Sequence, residues 1–309
     1  MSATATGAGD GELPDGVRRE YPMARLTTVR TGGPAEFFAR APTRRLLGGL
    51  LAWADAEGHA INVVGSGSNL LVADEGVRGL VLKLDGELAE IAVDGERVLA
   101  GGGARLPAVA ASAARAGLSG IEFGVNIPGT VGGAVRMNAN AYGGELGRVL
   151  DWVEVGTADG LAMRKPGELD LGYRSSNLRS GEIVAGAAIV LSRSEPELVK
   201  ATLEEMRRRR HEAQPQGIKT FGSTFKNPDD ERAEGRTAGL LLAEAGCNGL
   251  GHGGARFALK HANFIENTGD ASTADVLATM SLGRVRVRES FGVLLEPEVQ
   301  MLGIVGLPW

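Results

Sequence analysis

Three short stretches carry side chains suited to chemistry on a small anionic ligand. They are Tyr173-Arg174 ahead of Ser175-Ser176, Ser223 within Phe221-Gly-Ser-Thr-Phe-Lys-Asn-Pro228, and the two carboxylates of Leu295-Glu-Pro-Glu-Val299. A guanidinium such as Arg174 holds a carboxylate through two parallel hydrogen bonds, although a structural ion pair is an equally ordinary use. A serine nucleophile needs a paired base, yet Ser223 lies in no Gly-x-Ser-x-Gly elbow and the chain has only 4 histidines. The simplest role for a Gly-Ser-Thr serine is to bond its own backbone. A hydroxyl also serves as a general acid toward a strongly basic carbanion, because the acceptor supplies the driving force. Glu296 and Glu298, two residues apart on an extended segment, are expected on one face. Pro297 between them marks an edge or bulge, so surface carboxylates are the plain alternative.

Two glycine-rich stretches offer backbone amides rather than side chains. The first follows an apolar run and reads Gly65-Ser-Gly-Ser-Asn-Leu70. Leu70 occupies the position of the third glycine, so the Rossmann fingerprint fails. Phosphate can still be met by the loop N–H groups and by Ser66, Ser68 and Asn69. The second runs from Gly120 to Gly144, with glycines at 120, 124, 129, 132, 133, 143 and 144. Pro128 sets a turn and Thr130 is placed to cap a short helix through Ala134 to Asn138. Free amides at such a helix start suit an anion such as a dinucleotide pyrophosphate; the alternative is a glycine-rich surface loop. Other motifs fail. No Gly-Lys pair exists for a P-loop, and His211-Glu212 has Pro215 where a zinc protease needs histidine. His59, His211, His252 and His261 show no ligand spacing, so no metal is expected. Arg207 to Arg210 close a helix, where they complement the macrodipole; attraction of a phosphorylated substrate is the sharper alternative.

These residues must be positioned by the elements around them. At 309 residues, two or three domains are expected. The 47 glycines are roughly twice the usual share of about 7%. A net charge of −5 speaks against nucleic acid as the main partner. Cys247 is the single cysteine, which fits a reducing cytoplasm and forbids an intrachain disulfide. No apolar run reaches the roughly 18 residues of a membrane span. Residues 1–20 read as a disordered tail without a signal-peptide core. Extended segments are expected to flank Gly32-Gly33-Pro34, and Thr43 caps a helix bearing Leu46, Leu47, Leu50, Leu51 and Ala54. Strands at Ile61–Val64 and Gly79–Leu84 complete a β-α-β unit. Hairpins are expected at Asp94-Gly95 and Asp159-Gly160, with a helix over Leu106–Ala116 between them. A strand over Ile183–Leu191 precedes a helix capped by Ser194. Beyond the linker Gln214–Gly217, helices are expected over Thr237–Ala245, with Leu240, Leu241 and Ala245 inward, and over Thr273–Phe291. Strands are expected at His261–Glu266 and Gly292–Leu302. The fold class is α+β, divided as tail 1–20, then 21–86, 87–213 and 214–309.

Taken together, six segments resemble the UDP-N-acetylenolpyruvoylglucosamine reductase family. They are Val63–Leu71, Ile127–Ala134, Gly172–Ser175, Gly222–Pro228, Lys260–Ile265 and Leu295–Val299, in order and with natural spacing from about Arg18 to Gly303. The resemblance implies an FAD-binding fold of the vanillyl-alcohol-oxidase/p-cresol-methylhydroxylase type, with two cofactor subdomains and a C-terminal substrate domain. It implies a cytoplasmic, NADPH-dependent reduction of UDP-N-acetylglucosamine enolpyruvate for peptidoglycan, and so a part in cell shape, cell cycle and division. FAD would lie against Gly65, Ser66, Gly67, Ser68, Asn69 and Leu70 on one side. Pro128, Gly129, Thr130, Gly132, Gly133 and Ala134 would face it on the other. Ser223 matches the family's proton donor, Arg174 the arginine on the substrate carboxylate, and Glu298 the glutamate beside it, with Glu296 as runner-up. Tyr173, Lys226 and Asn227 match substrate contacts. No membrane and no obligate protein partner are implied. Asn140, Arg256 and Ala258 depart from the family pattern, which puts local substrate contacts in doubt. The competing readings are an alcohol-oxidising flavoenzyme on the same fold and a non-catalytic nucleotide-binding module.

Overall fold

The computed structural model describes residues 13–303, 307 and 309. Residues 1–12 of the expected tail lie outside the described residues, and the remainder of it departs from expectation. Arg18–Pro22 is a strand, antiparallel to Pro34–Ala41 with Arg18 opposite Phe38 and Tyr21 opposite Ala35. Its side chains are mostly exposed, so no burial pattern announces it. Backbone pairing holds it, with Tyr21 stacked 4.0 Å from Phe38 and the Arg19 guanidinium 4.9 Å from the Phe37 ring.

Val77–Leu84 and Ile61–Val63 continue this sheet in parallel, giving four strands. Helix α1, Arg44–Ala56, covers it with Leu47, Leu50, Leu51 and Ala54, all buried. Thr43 caps α1 by accepting the Leu46 N–H. The stretch Leu26–Arg30, expected as extended, forms no strand. Hydroxyls of Thr27 and Thr28 bond carbonyls of Thr31 and Thr220 instead, which competes with sheet pairing.

A second sheet is antiparallel and has five strands, in the order Gly160–Arg164, Leu150–Thr157, Ile183–Val190, Arg97–Gly101 and Ile91–Asp94. Both expected hairpins are present, with Gly95 and Gly160 at positive φ. Helix α2, Leu106–Arg115, buries Val109, Ala110, Ala113 and Ala114 in the core this sheet shares with α3, Val131–Arg136. Helix α4, Pro196–Ala213, starts one residue later than expected. Glu195 is its N-cap and makes no side-chain bond, while Pro196 opens the first turn with the φ a helix needs.

The third region packs α5, Ala238–Glu244, and α6, Thr273–Phe291, on a small sheet of Gly251–His252, Ala255–Phe257 and Ile265–Asn267. Leu240, expected inward, is 46% exposed; Leu242 takes its place beside Leu241. A helix of two turns leaves the phase of its apolar face poorly determined by sequence. Two expected strands are shorter than anticipated. Of His261–Glu266 only the end is a strand, because Asn263 is committed to Phe225 through both side-chain atoms. Of Gly292–Leu302 only Gln300–Leu302 is a strand, and it pairs in parallel with Leu70–Val72 of the first region. That pairing joins the end of the chain to the first glycine loop.

Candidate functional site

The segment bearing Ser223 runs between two neighbours that fix its register. On one side Thr224 N–H donates to Asn263 O at 2.7 Å, and Asn263 Oδ1 and Nδ2 bracket Phe225. On the other, Lys226 N–H donates to Glu296 O and Glu298 N–H donates to Thr224 O, each at 2.9 Å. Ser223 and Glu298 therefore both border one cavity of about 940 Å³. Glu296 does not: its side chain is 73% exposed and pairs with Lys226 at 3.4 Å. The expectation that the two glutamates share a face on the site is not met: Glu298 enters the cavity and Glu296 does not, with Pro297 between them bridged to Phe225.

Arg174 reaches the same cavity from the tip of a tight turn closed by mutual bonds between Gly172 and Ser175. Its φ of 55° is left-handed, a conformation costing on the order of 1–3 kcal/mol for a non-glycine residue. Arg174 Nε lies 2.9 Å from Glu298 Oε1, with side chains 22% and 14% exposed. The Nε–H is nevertheless not aimed at that oxygen and forms no hydrogen bond. The two groups are in ionic contact, and the guanidinium keeps donor capacity for a third group. Burial pushes the Glu298 carboxyl above its ordinary range, against the pull of Arg174 and then Lys226. Tyr173, 56% exposed, and Asn227 also border the cavity; Asn227 Oδ1 in addition accepts the Ala238 N–H that starts α5. Lys226 does not border it.

The glycine loops form the opposite wall. Gly65 to Leu70, Pro128 to Thr130, and Gly132 to Ala134 all border the cavity. A β-carbon on Gly65 would sit 2.5 Å from Thr130 Oγ1, so the two loops touch. One on Gly67, at φ +65°, would sit 1.9 Å from the Leu26 carbonyl oxygen. Three carbonyls of the first loop are held by protein donors: Lys83 Nζ donates to Gly65 O, Thr28 N–H to Gly67 O and Gln300 N–H to Asn69 O. Among the described residues, the amides of Ser66, Gly67, Ser68 and Asn69 donate to no protein group. Consecutive amides turned to one side make an anion-binding nest. The start of α3 differs from expectation. Val131 and Gly132 amides are taken by the carbonyls of Ala104 and Gly102, and Gly133 by Thr130 Oγ1. On that side the amides of Gly129 and Thr130 remain, in a turn before the helix rather than in its first turn. Loops anchored through alternate carbonyls and carrying free amides fit an elongated phosphate-bearing cofactor such as FAD.

Sequence reasoning named the arginine run but did not single out two cavity residues at the end of α4. Arg208 is paired with Glu205 and Glu212, and Arg209 with Glu205, which holds the Glu205 carboxyl down to about 2. Arg210, about 100° further around the helix, borders the cavity, and burial lowers its proton affinity. Gln214 follows, with a buried Oε1 that accepts no hydrogen bond. The arginine run was visible; the signal missed was that acids at 205 and 212 neutralise 208 and 209 but leave 210 to face elsewhere. His261 is half-buried, and its Nδ1 accepts the Asn263 N–H.

Comparison with known proteins bears on what such a cavity does. The family model for the C-terminal domain of UDP-N-acetylenolpyruvoylglucosamine reductase matches residues 214–302. The FAD binding domain model matches residues 36–164. The chain is 44% identical to UDP-N-acetylenolpyruvoylglucosamine reductase 2 of Symbiobacterium thermophilum, over 94% of this chain and 93% of that protein. It is 40% identical to the reductase of Geobacillus kaustophilus over 93% of each chain. The crystal structure of the Thermus caldophilus enzyme superposes with a TM-score of 0.79 at 37% identity, covering 93% of this chain and 98% of that one.

Proposed function

Because the chain belongs to the UDP-N-acetylenolpyruvoylglucosamine reductase family, we propose that it uses NADPH and FAD to reduce UDP-N-acetylglucosamine enolpyruvate to UDP-N-acetylmuramate. The observation that carries this reading is the meeting of Ser223, Arg174 and Glu298 on a cavity whose other wall is two glycine loops. Residues 21–86 and 87–213 then form the cofactor subdomains of a vanillyl-alcohol-oxidase type fold, and 214–309 carries the substrate. No helix among the described residues is long and apolar enough to cross a membrane. The reaction is assigned to the cytoplasm, where it serves peptidoglycan synthesis and through it cell shape and division.

The loop amides at 66–69 and at 129–130 hold the FAD pyrophosphate. Bound FAD supplies a hydride relay from NADPH to the enolpyruvyl double bond. Negative charge then develops on the carbon beside the substrate carboxylate and spreads into that carboxylate. Arg174 offers its unused Nε–H and the rest of its fork to this group, a stabilisation of about 3–4 kcal/mol for a donor of this kind. Glu298 assists in its protonated form, sharing its proton with the growing dianion, and burial favours that form. The Ser223 hydroxyl delivers its proton to the carbanionic carbon. Arg210 meets the diphosphate as the arginine of α4 that borders the cavity, while Tyr173 and Asn227 line the path of the sugar nucleotide.

The test is anaerobic spectroscopy of the purified protein. A yellow protein bleached by NADPH and recoloured stoichiometrically by the enolpyruvyl sugar nucleotide is expected. Oxygen consumption with an alcohol and no response to the sugar nucleotide would instead favour a flavin oxidase. A colourless protein that takes up no FAD would favour a binding module.

A further inference from the structure

The side chains assigned to proton transfer and the loop assigned to the cofactor come from distant parts of the sequence, and one residue outside both touches the backbone of each. Thr28 donates its N–H to Gly67 O at 3.0 Å, in the middle of the first glycine loop. Its hydroxyl lies 2.6 Å from Thr220 O and 3.1 Å from Gly67 O. The hydroxyl has one proton, and the shorter contact is the one that receives it. Thr28 is thus a two-ended bracket, with the cofactor loop on its amide and the chain leading into Ser223 on its hydroxyl.

The surroundings make the bracket consequential. Gly67 has φ +65° and no room for a β-carbon against Leu26, so the loop sits hard on the Thr28 segment. Past Thr220, Gly222 turns the chain at φ +84°, close under Ser68 O, and Ser223 follows. Downstream, Thr224 is fixed by Asn263 and Glu298. Upstream, Lys219 O accepts the Asn267 N–H, and Asn267 Nδ2 donates to Val29 O, next to Thr28. The Val29 side chain is itself buried in the core of the third region. The backbone bonds that hold Lys219 and Thr220 upstream of Ser223 therefore run to Asn267 and Thr28, while Phe221 beyond them is anchored in the same core.

We infer that Thr28 is a positioning residue for the proton-transfer step, setting Ser223 against the cofactor loop through Thr220. This rests on the reductase reading above. Thr28 does not border the cavity and lies at the surface, so loss of its hydroxyl is expected to leave the fold intact. A valine keeps the shape and the amide bond to Gly67 while deleting the hydroxyl link.

The experiment compares single turnovers of wild-type, Thr28→Val, Thr28→Ala and Thr28→Ser holoenzymes. Flavin reduction by NADPH and reoxidation by the enolpyruvyl sugar nucleotide are read separately, together with bound FAD and Tm. Thr28→Val and Thr28→Ala are expected to slow reoxidation about tenfold while leaving flavin reduction within twofold, and Thr28→Ser is expected to restore it. Reoxidation at the wild-type rate in Thr28→Val overturns the inference. So does parallel loss of both half-reactions with FAD release, which marks a purely structural role. Failure of the wild-type flavin to be reoxidised by the sugar nucleotide overturns the reductase reading and this inference with it.

Discussion

Arg174→Met removes the cation nearest a buried carboxylate, and its cost should be governed by proton uptake at Glu298. In the intact protein the pair is 2.9 Å apart with both side chains largely buried. Removing one partner of such a pair typically costs about 3–5 kcal/mol. Protonation sets a ceiling on that cost. Holding an ordinary glutamic acid, pKa about 4.3, protonated at pH 7.5 takes about 4 kcal/mol, at about 1.4 kcal/mol per pH unit. The sign follows from burial. Glu298 is already raised above its ordinary range, and loss of Arg174 removes the larger of the two charges that lower it. Between the unfolded and folded values the native state binds more protons than the unfolded one, so stability falls as pH rises through that window. Arg174→Met should therefore be nearly neutral near pH 5 and increasingly destabilised toward pH 7.5, by less than that ceiling of about 4 kcal/mol because the wild-type carboxyl is itself already raised. In the Glu298→Gln background the same substitution should cost less than about 1 kcal/mol at either pH. Denaturant unfolding of the four proteins at the two pH values measures this. Turnover should not return in the double variant, because the clamp on the substrate carboxylate is still missing. A cost independent of pH, and undiminished by Glu298→Gln, would refute the coupling of the two groups.

Gly67→Ala should release the cofactor: a β-carbon 1.9 Å from the Leu26 carbonyl at φ +65° costs at least about 2 kcal/mol, or about 30-fold in FAD affinity measured by fluorescence titration. Arg210→Ala should raise the KM for the sugar nucleotide about 10- to 100-fold, the worth of a hydrogen bond to a charged group, in steady-state assays. Arg208→Ala, whose guanidinium is bound to Glu205 and Glu212 in solvent, should change it less than about twofold.

Much of this fold was legible because its signals are local. Thr43 before a leucine face, and Gly95 and Gly160 after aspartates, specify their own neighbourhoods. The strand at Arg18–Pro22 was not legible, since backbone pairing with Phe37 and Phe38 leaves no trace in its polar side chains. Nor was the parallel pairing of Gln300–Leu302 with Leu70–Val72, a contact between distant ends of the chain. The candidate site depends on that pairing. Ser223, Arg174 and Glu298 could be singled out by type and by resemblance, but sequence alone left Glu296 and Glu298 as alternatives. The structure separates them, with Glu296 at solvent beside Lys226 and Glu298 on the cavity. The start of α3 shows the opposite error. Glycine content and a capping threonine suggested free helix amides, yet Ala104 and Gly102 accept two of them.

Transfer of a proton from Ser223 to the substrate carbon is the center of this account, and single-turnover reoxidation of prereduced Ser223→Ala tests it most directly. The account predicts flavin reduction by NADPH at the wild-type rate and reoxidation by the enolpyruvyl sugar nucleotide slowed about 10²- to 10⁴-fold. Reoxidation of Ser223→Ala as fast as that of the wild-type protein would contradict it.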